Sequence, residues 1–154
     1  MTAPEFRHPE KFQQLPSRDW IRKNMPSGDA GFVAEDLDLI LRVYGNSFHT
    51  DNTGKFMLVE QKFGNSWIQH AQRMTFGLLD RLLRQADPEG ARYAGFFILQ
   101  FSDDDWDKAE FKINRQPVTR EELLSFFAFD NGILGRLPSV SWQEVTSGIS
   151  THEN

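Results

Sequence analysis

Glu60 and Lys62 stand two residues apart in Phe56–Phe63, FMLVEQKF, and Asp36 and Asp38 stand two apart in Phe32–Tyr44, FVAEDLDLILRVY. Side chains along a β-strand alternate faces with a period of two. Read as strands, one segment sets Glu60 and Lys62 on one face and Val59, Gln61 and Phe63 on the other. The other sets Asp36 and Asp38 on one face, opposite Leu37, Leu39 and Leu41. Two carboxylates from neighbouring strands can hold a hard cation such as Mg²⁺, which takes oxygen ligands and keeps several waters. A lysine beside them can orient an attacking water and offset phosphate charge. A cation so held acidifies that water and stabilises the negative charge that develops in phosphodiester hydrolysis. The plain alternative is a solvated sheet face. Against it, the charges interrupt otherwise apolar strands, whereas a solvated face is polar along its length.

The elements that must position these residues follow from pattern. Gly45–Lys55, GNSFHTDNTGK, is rich in turn residues, so the two strands form an antiparallel hairpin. Gly64 and Asn65 end the second strand. From Ser66 to Gln85 the apolar residues Trp67, Ala71, Met74, Leu78 and Leu82 recur at helical spacing, with Thr75 and Leu79 beside them. Asp87-Pro88-Glu89-Gly90 closes that helix. Tyr93–Phe101, YAGFFILQF, reads as a strand buried on both faces. Ala109–Asn114 reads as a short strand, and Thr119 with Glu122 forms a capping box for a helix to about Phe129. Asn131-Gly132 reads as a turn and Ser139–Val145 as an edge strand. Upstream, Ser17 caps a short helix over Arg18–Asn24, closed by Pro26. This order predicts one α/β domain over 1–154, a central mixed sheet flanked by helices, with its core over about 17–130. Residues 1–16 and 147–154 are expected to be loosely ordered.

Composition narrows the chemistry further. The chain has no cysteine, which excludes disulfides, thiolate nucleophiles and Cys-ligated metals. His8, His49, His70 and His152 form no pair at metal-ligand spacing on a helix, which argues against zinc. No glycine-rich phosphate loop and no G-x-S-x-G elbow occurs. Asp103, Asp104, Asp105 and Asp107 lack the pattern of an EF-hand and read as an acidic turn. No apolar run reaches 18 residues, so no membrane span is expected, and a polar Met1–Gln14 without a signal-like core points to the cytoplasm. The net charge of −5 argues against broad non-specific binding of nucleic acid, though it leaves room for a local basic groove.

At these residues the sequence resembles the PD-(D/E)XK nuclease superfamily, over roughly residues 31–85. That superfamily carries an Asp and then an (Asp/Glu)-x-Lys on a hairpin, followed by a helix and a further strand. Asp38 in EDLDLIL and Glu60-Gln61-Lys62 in LVEQKFG resemble those motifs in order and spacing. The resemblance implies a restriction-endonuclease-like core. It implies Mg²⁺ or Mn²⁺ bound by Asp38, Glu60 and the Gln61 backbone carbonyl, with Lys62 positioning the water. The RecB-like branch adds Gln-x-x-x-Tyr on the next helix. Gln72-Arg73-Met74-Thr75-Phe76 is similar but has Phe76 in the Tyr position, leaving Gln72 as the polar group at the site. Many members also carry an acid on their first helix, for which Glu10, Asp19 and Asp29 are the candidates here.

Arg22, Lys23, His70 and Arg73 could line a phosphate groove, or could be ordinary solvated helix charges. Trp67 could stack on a base or pack in the core. The functional expectation is a metal-dependent nuclease acting on DNA, with a homodimer or protein partner to complete its groove. Two alternatives stand beside it. One is a catalytically inactive nuclease-like binding or interaction module, and the other an unrelated α/β domain with a solvated hairpin.

Overall fold

The computed structural model describes residues 20, 23–24, 35–43 and 54–143. Two compact units divide the chain, residues 1–35 and 36–154. In the first, Trp20, Lys23 and Asn24 have helical backbone and are exposed, and the Asn24 amide donates to the Trp20 carbonyl at 2.9 Å. The rest of the helix expected over 18–24, including Arg22, lies outside the described residues.

The second unit is built on a five-stranded mixed sheet in the order β1–β2–β3–β4–β5. The strands are β1 (Leu39–Arg42), β2 (Phe56–Phe63), β3 (Tyr93–Phe101), β4 (Phe111–Ile113) and β5 (Gln116–Val118). β1 and β2 are antiparallel, with Leu39 opposite Val59 and Leu41 opposite Met57. β2 and β3 are parallel, with Glu60 beside Ile98 and Lys62 beside Gln100. A parallel pair needs a crossover, and helix α1 (His70–Ala86) supplies it. Helices α2 (Arg120–Phe127) and α3 (Asn131–Arg136) follow β5. Thr119 caps α2 with the expected box: its side chain accepts from the Glu122 amide, and Glu122 accepts from the Thr119 amide. No helix among the described residues is long and apolar enough to cross a membrane.

Central β2 and β3 are buried on both faces, so two cores form. One gathers Met57, Val59, Phe97, Leu99, Ile113, Phe126 and Ile133. The other gathers Leu58, Ile68, Phe76, Phe96, Ile98 and Val140 beneath α1. Glu60 and Lys62 share the α1 side with Leu58, so their face is a packed one.

The expected apolar stripe of α1 turns outward. Met74 is 63% exposed and Leu82 52%, with Leu78 and Leu79 also exposed. The buried residues are Phe76, Gly77 and Asp80. Periodicity identifies a helix with an apolar stripe, but it does not say which arc meets the sheet. Here the arc is set by polar and aromatic contacts. The Asp80 carboxylate accepts from the Tyr93 hydroxyl at 2.6 Å, from Trp142 Nε1 at 2.9 Å and from Arg84 Nε at 3.1 Å. Gly77 lets the Trp142 ring rest against the helix, because a Cβ there would meet that ring at 3.1 Å. A mid-helix glycine costs about 1 kcal/mol relative to alanine, and close approach of the indole accounts for it.

Four further expectations change in detail. The helix begins at His70 rather than Ser66, with Gln69 as its N-cap. Asn131-Gly132 opens α3, because Asp130 caps it by accepting from the Ile133 amide. Residues 139–143 form no strand, since Val140 and Trp142 pack against the α1-side core instead of pairing with an edge. β5 was not anticipated: it pairs with β4 through a tight turn at Asn114 and Arg115, both with positive φ (50° and 69°). Asparagine tolerates that region, while an arginine there costs about 1 kcal/mol. Asn114 locks the turn: its Oδ1 accepts from the Ile98 amide at 2.8 Å, and its Nδ2 donates to the Pro138 carbonyl at 2.7 Å.

Candidate active site

β2 presents Glu60 and Lys62 on one face because two residues of pleat separate them, and α1 then brings Gln72 over them. Lys62 Nζ lies 3.1 Å from Glu60 Oε1. The Gln72 amide nitrogen donates to the same Glu60 oxygen at 3.2 Å, and the Gln72 carbonyl accepts from Lys62 Nζ at 3.0 Å. That carbonyl also accepts from the backbone amide of Gln69 at 3.2 Å, at the start of the helix. The three bonds fix the Gln72 amide with its oxygen toward donors and its nitrogen toward a carboxylate. Glu60, Lys62 and Gln72 therefore form a closed triangle.

Asp38 stands at the edge of this cluster. The β1–β2 register, carried one step beyond Leu39 and Val59, puts Asp38 opposite Glu60. Its Oδ2 accepts from the Gln61 amide at 2.8 Å. In an extended strand a residue's N–H and C=O point to the same edge. The Gln61 carbonyl is thus directed to the Asp38 side of β2, where the β1 ladder has ended. The strand expected from Phe32 begins among the described residues only at Leu39, so Asp36 and Asp38 both precede it and both are exposed, as is His70 at the opening of α1.

The electrostatics of Glu60 are unbalanced. The residue is 4% exposed, between Leu58 and Ile98 in the sheet. Burial pushes its carboxyl above the usual value and the Asp38 charge pushes it further, while Lys62 opposes both. Its Oε2 is buried and has no hydrogen-bond partner among the described residues. An unsatisfied buried charged oxygen costs several kcal/mol by the usual scale for such groups, so its presence needs a reason. No group of three or more His, Cys, Asp or Glu able to hold a metal occurs among the described residues. The available donors are two carboxylates and one main-chain carbonyl. Mg²⁺ accepts such a set, since it commonly binds through one or two carboxylates and keeps several waters. The bare Oε2 is the atom that fits a cation.

Of the candidate phosphate contacts, Arg73 is half-buried and follows Gln72 on α1, one residue further round the helix. It lines a cavity of about 590 Å³ with Trp67, Asn114, Arg115, Ser139 and Ser141. Trp67 lies on the loop after β2, half-buried against the α1-side core. Gln100 holds that loop by donating to the Ser66 carbonyl at 2.9 Å. Lys23 is exposed in the first unit. Arg22, Glu10, Asp19, Asp29 and His49 lie outside the described residues. Arg115 escaped the sequence reading, although Asn114 before it is a usual hairpin-turn residue and could have signalled the turn. Comparison with family models, with curated proteins and with solved structures returns no match.

Proposed function

We propose that the chain is a metal-dependent nuclease that hydrolyses phosphodiester bonds in DNA, with Asp38, Glu60, Lys62 and Gln72 at its centre and Mg²⁺ or Mn²⁺ as cofactor. The observation that carries the reading is the buried, unpartnered Glu60 Oε2, set beside a lysine and across from a second carboxylate. A structural ion pair has no use for a bare oxygen. Asp38, Glu60 and the Gln61 carbonyl would hold the cation, as the resemblance to PD-(D/E)XK nucleases implies. The bound cation supplies an acidified water and a countercharge for the phosphate.

Within the protein, Glu60 Oε1 holds the Lys62 ammonium in place, and the Gln72 carbonyl holds it from the other side. An ammonium so fixed can donate to the attacking water and to a non-bridging phosphate oxygen. Gln72 ties both charged groups to the first turn of α1, which sets their spacing before substrate arrives. Fixed donors aimed at developing charge are worth about 10²–10³ in rate.

Incubation with Mn²⁺ and a panel of single-stranded, duplex and branched DNAs tests the reading. Cleavage by the wild type and none by Glu60→Gln is the expected result. Intact DNA in every lane, while Mn²⁺ leaves the thermal melt unmoved, sinks it in favour of an inactive binding module.

A further inference from the structure

The cavity beside the first turn of α1 has a composition unlike the rest of the chain. The whole protein carries a net charge of −5, yet the described residues lining this cavity include two arginines, Arg73 and Arg115, and no carboxylate. The guanidinium of Arg115 lies over the Trp67 ring, 4.2 Å from its centroid. That contact rests on rigid supports from both sides. Gln100 anchors the loop bearing Trp67, and Asn114 ties the β4–β5 turn to Ile98 and Pro138. Arg115 itself has φ of 69°, in the region that favours glycine. A strained arginine held over an indole at a cavity wall is a preorganised surface, and strain of this kind gathers at ligand sites.

We infer that the cleft between Trp67, Arg73 and Arg115 binds an unpaired strand of nucleic acid, and so selects a substrate with a single-stranded segment. This rests on the nuclease reading for its connection to chemistry, though strand binding stands by itself. One face of the guanidinium is taken by the indole. The other face can stack a base, and the N–H edge can bond a phosphate oxygen. A base reaches that plane only when it has left a duplex stack, whereas a phosphate alone would not need the plane. Stacking surfaces joined to cations are the usual means of binding single strands. Ser139 and Ser141 add neutral polar groups to the lining. Gln72 and Arg73 share the first turns of α1, so the cleft and the Glu60 cluster are both built on the start of that helix.

The test measures binding without cleavage. Fluorescence anisotropy is recorded in chelator with a labelled 15-nucleotide oligo-dT, the matching oligo-U and a short hairpin duplex. The variants are Arg115→Gly and Arg115→Lys. Glycine suits the positive φ, so Arg115→Gly should melt no lower than the wild type and still bind the strands about tenfold more weakly. Arg115→Lys keeps the charge but loses the plane, and should fall nearly as far. The log–log salt slope should shrink by about 0.7 in Arg115→Gly, as for one lost phosphate contact to a single strand. The tighter of oligo-dT and oligo-U identifies which sugar the cleft accepts. Arg115→Gly binding within twofold of wild type overturns the inference, as does a wild type that binds no strand or prefers the hairpin. Arg115-dependent binding by a protein that never cleaves would leave the cleft standing and remove the nuclease reading. Cleavage with binding indifferent to Arg115 would do the reverse.

Discussion

Glu60 and Asp80 are both shut away from solvent, at 4% and 6% exposure, Glu60 on the sheet face beneath helix α1 and Asp80 on the buried face of that helix. Their surroundings differ in one respect. Asp80 has a donor on each oxygen: the Tyr93 hydroxyl and Arg84 on Oδ1, the Trp142 indole and Arg84 on Oδ2. Glu60 shares one oxygen between Lys62 and Gln72 and leaves the other without a hydrogen-bond partner among the described residues. A buried carboxylate whose lone pairs are all engaged ties elements together, here α1 to β3 and to the chain after α3. One with an idle oxygen is held at a cost by its fold, which is the pattern of a group kept for a ligand. Burial alone does not separate the two roles; completeness of hydrogen bonding does.

The sharpest way to break this contrast is to neutralise each acid and assay DNA cleavage with Mn²⁺. Glu60→Gln should lower the rate by about 10³-fold, in line with loss of a preorganised charge at a reacting centre. Asp80→Asn, compared at equal folded concentration, should stay within about threefold of wild type. Equal losses would show that Asp80 belongs to the chemistry.

Stability should run the other way. Asp80→Ala strands a hydroxyl, an indole N–H and a guanidinium. Removing one partner of such a set costs about 3 kcal/mol, at the lower end because Arg84 is half exposed. That corresponds to a fall of about 10 °C in Tm. In chelator, Glu60→Gln should melt no lower than wild type. A large fall there would make Glu60 structural after all.

Metal and pH sharpen the same distinction. Mn²⁺ at a hundredfold excess over Kd should stabilise the wild type by about 2.7 kcal/mol, and Glu60→Gln should lose most of that gain. Without metal, the Glu60 carboxyl has a folded-state value raised above 4.5 by burial and by Asp38. Its contribution to stability is therefore complete below the unfolded value and lost as pH rises through the folded one. The gap in Tm between Glu60→Gln and wild type should widen as pH climbs through that window. Asp87 has the opposite sign. The Tyr93 and Arg92 amides hold its carboxyl below 3.8, so its contribution is present at neutral pH and fades on acidification. Melts of Asp87→Asn and Glu60→Gln across pH 3–7 should therefore diverge from wild type in opposite directions. The smallest effect expected is that of Gln72→Ala: about tenfold in cleavage and under 1 kcal/mol in stability, since Lys62 and Glu60 still meet without it.

Much of this was legible in the chain. The limits of β2 and β3 follow from largely apolar runs, interrupted in β2 by Glu60-Gln61-Lys62 and ended by glycine and polar residues, and the parity of Glu60 and Lys62 follows from β2. The Thr119–Glu122 box announced α2 because both partners of its reciprocal bond are local. What was not legible depended on distant partners. Met74, Leu78 and Leu82 formed the clearest periodic stripe, yet the sheet receives Phe76, Gly77 and Asp80. That choice follows from Tyr93, Trp142 and Arg84, which no pattern within the helix reveals. Val140 and Trp142 alternate with polar neighbours as an edge strand would, but they are claimed by the α1-side core. The Asn114–Arg115 turn was hidden because arginine replaces the usual glycine.

The hydrogen bonds that assemble the Glu60 cluster span 10 and 12 residues, while the one from Trp142 to Asp80 spans 62. Closing the longer loop costs about 1.5 kcal/mol more in chain entropy. The two polar clusters therefore belong to different stages of folding. Glu60, Lys62 and Gln72 meet once β2 and the first turn of α1 have formed, whereas the Trp142 bond that completes the Asp80 clasp waits for the chain to return after α3. In partial opening the order reverses: Trp142 leaves first, and amide protons near it exchange before those of β2. The Glu60 cluster thus resides in a local piece of the fold, and the distant Trp142 bond sets how long the Asp80 clasp holds together.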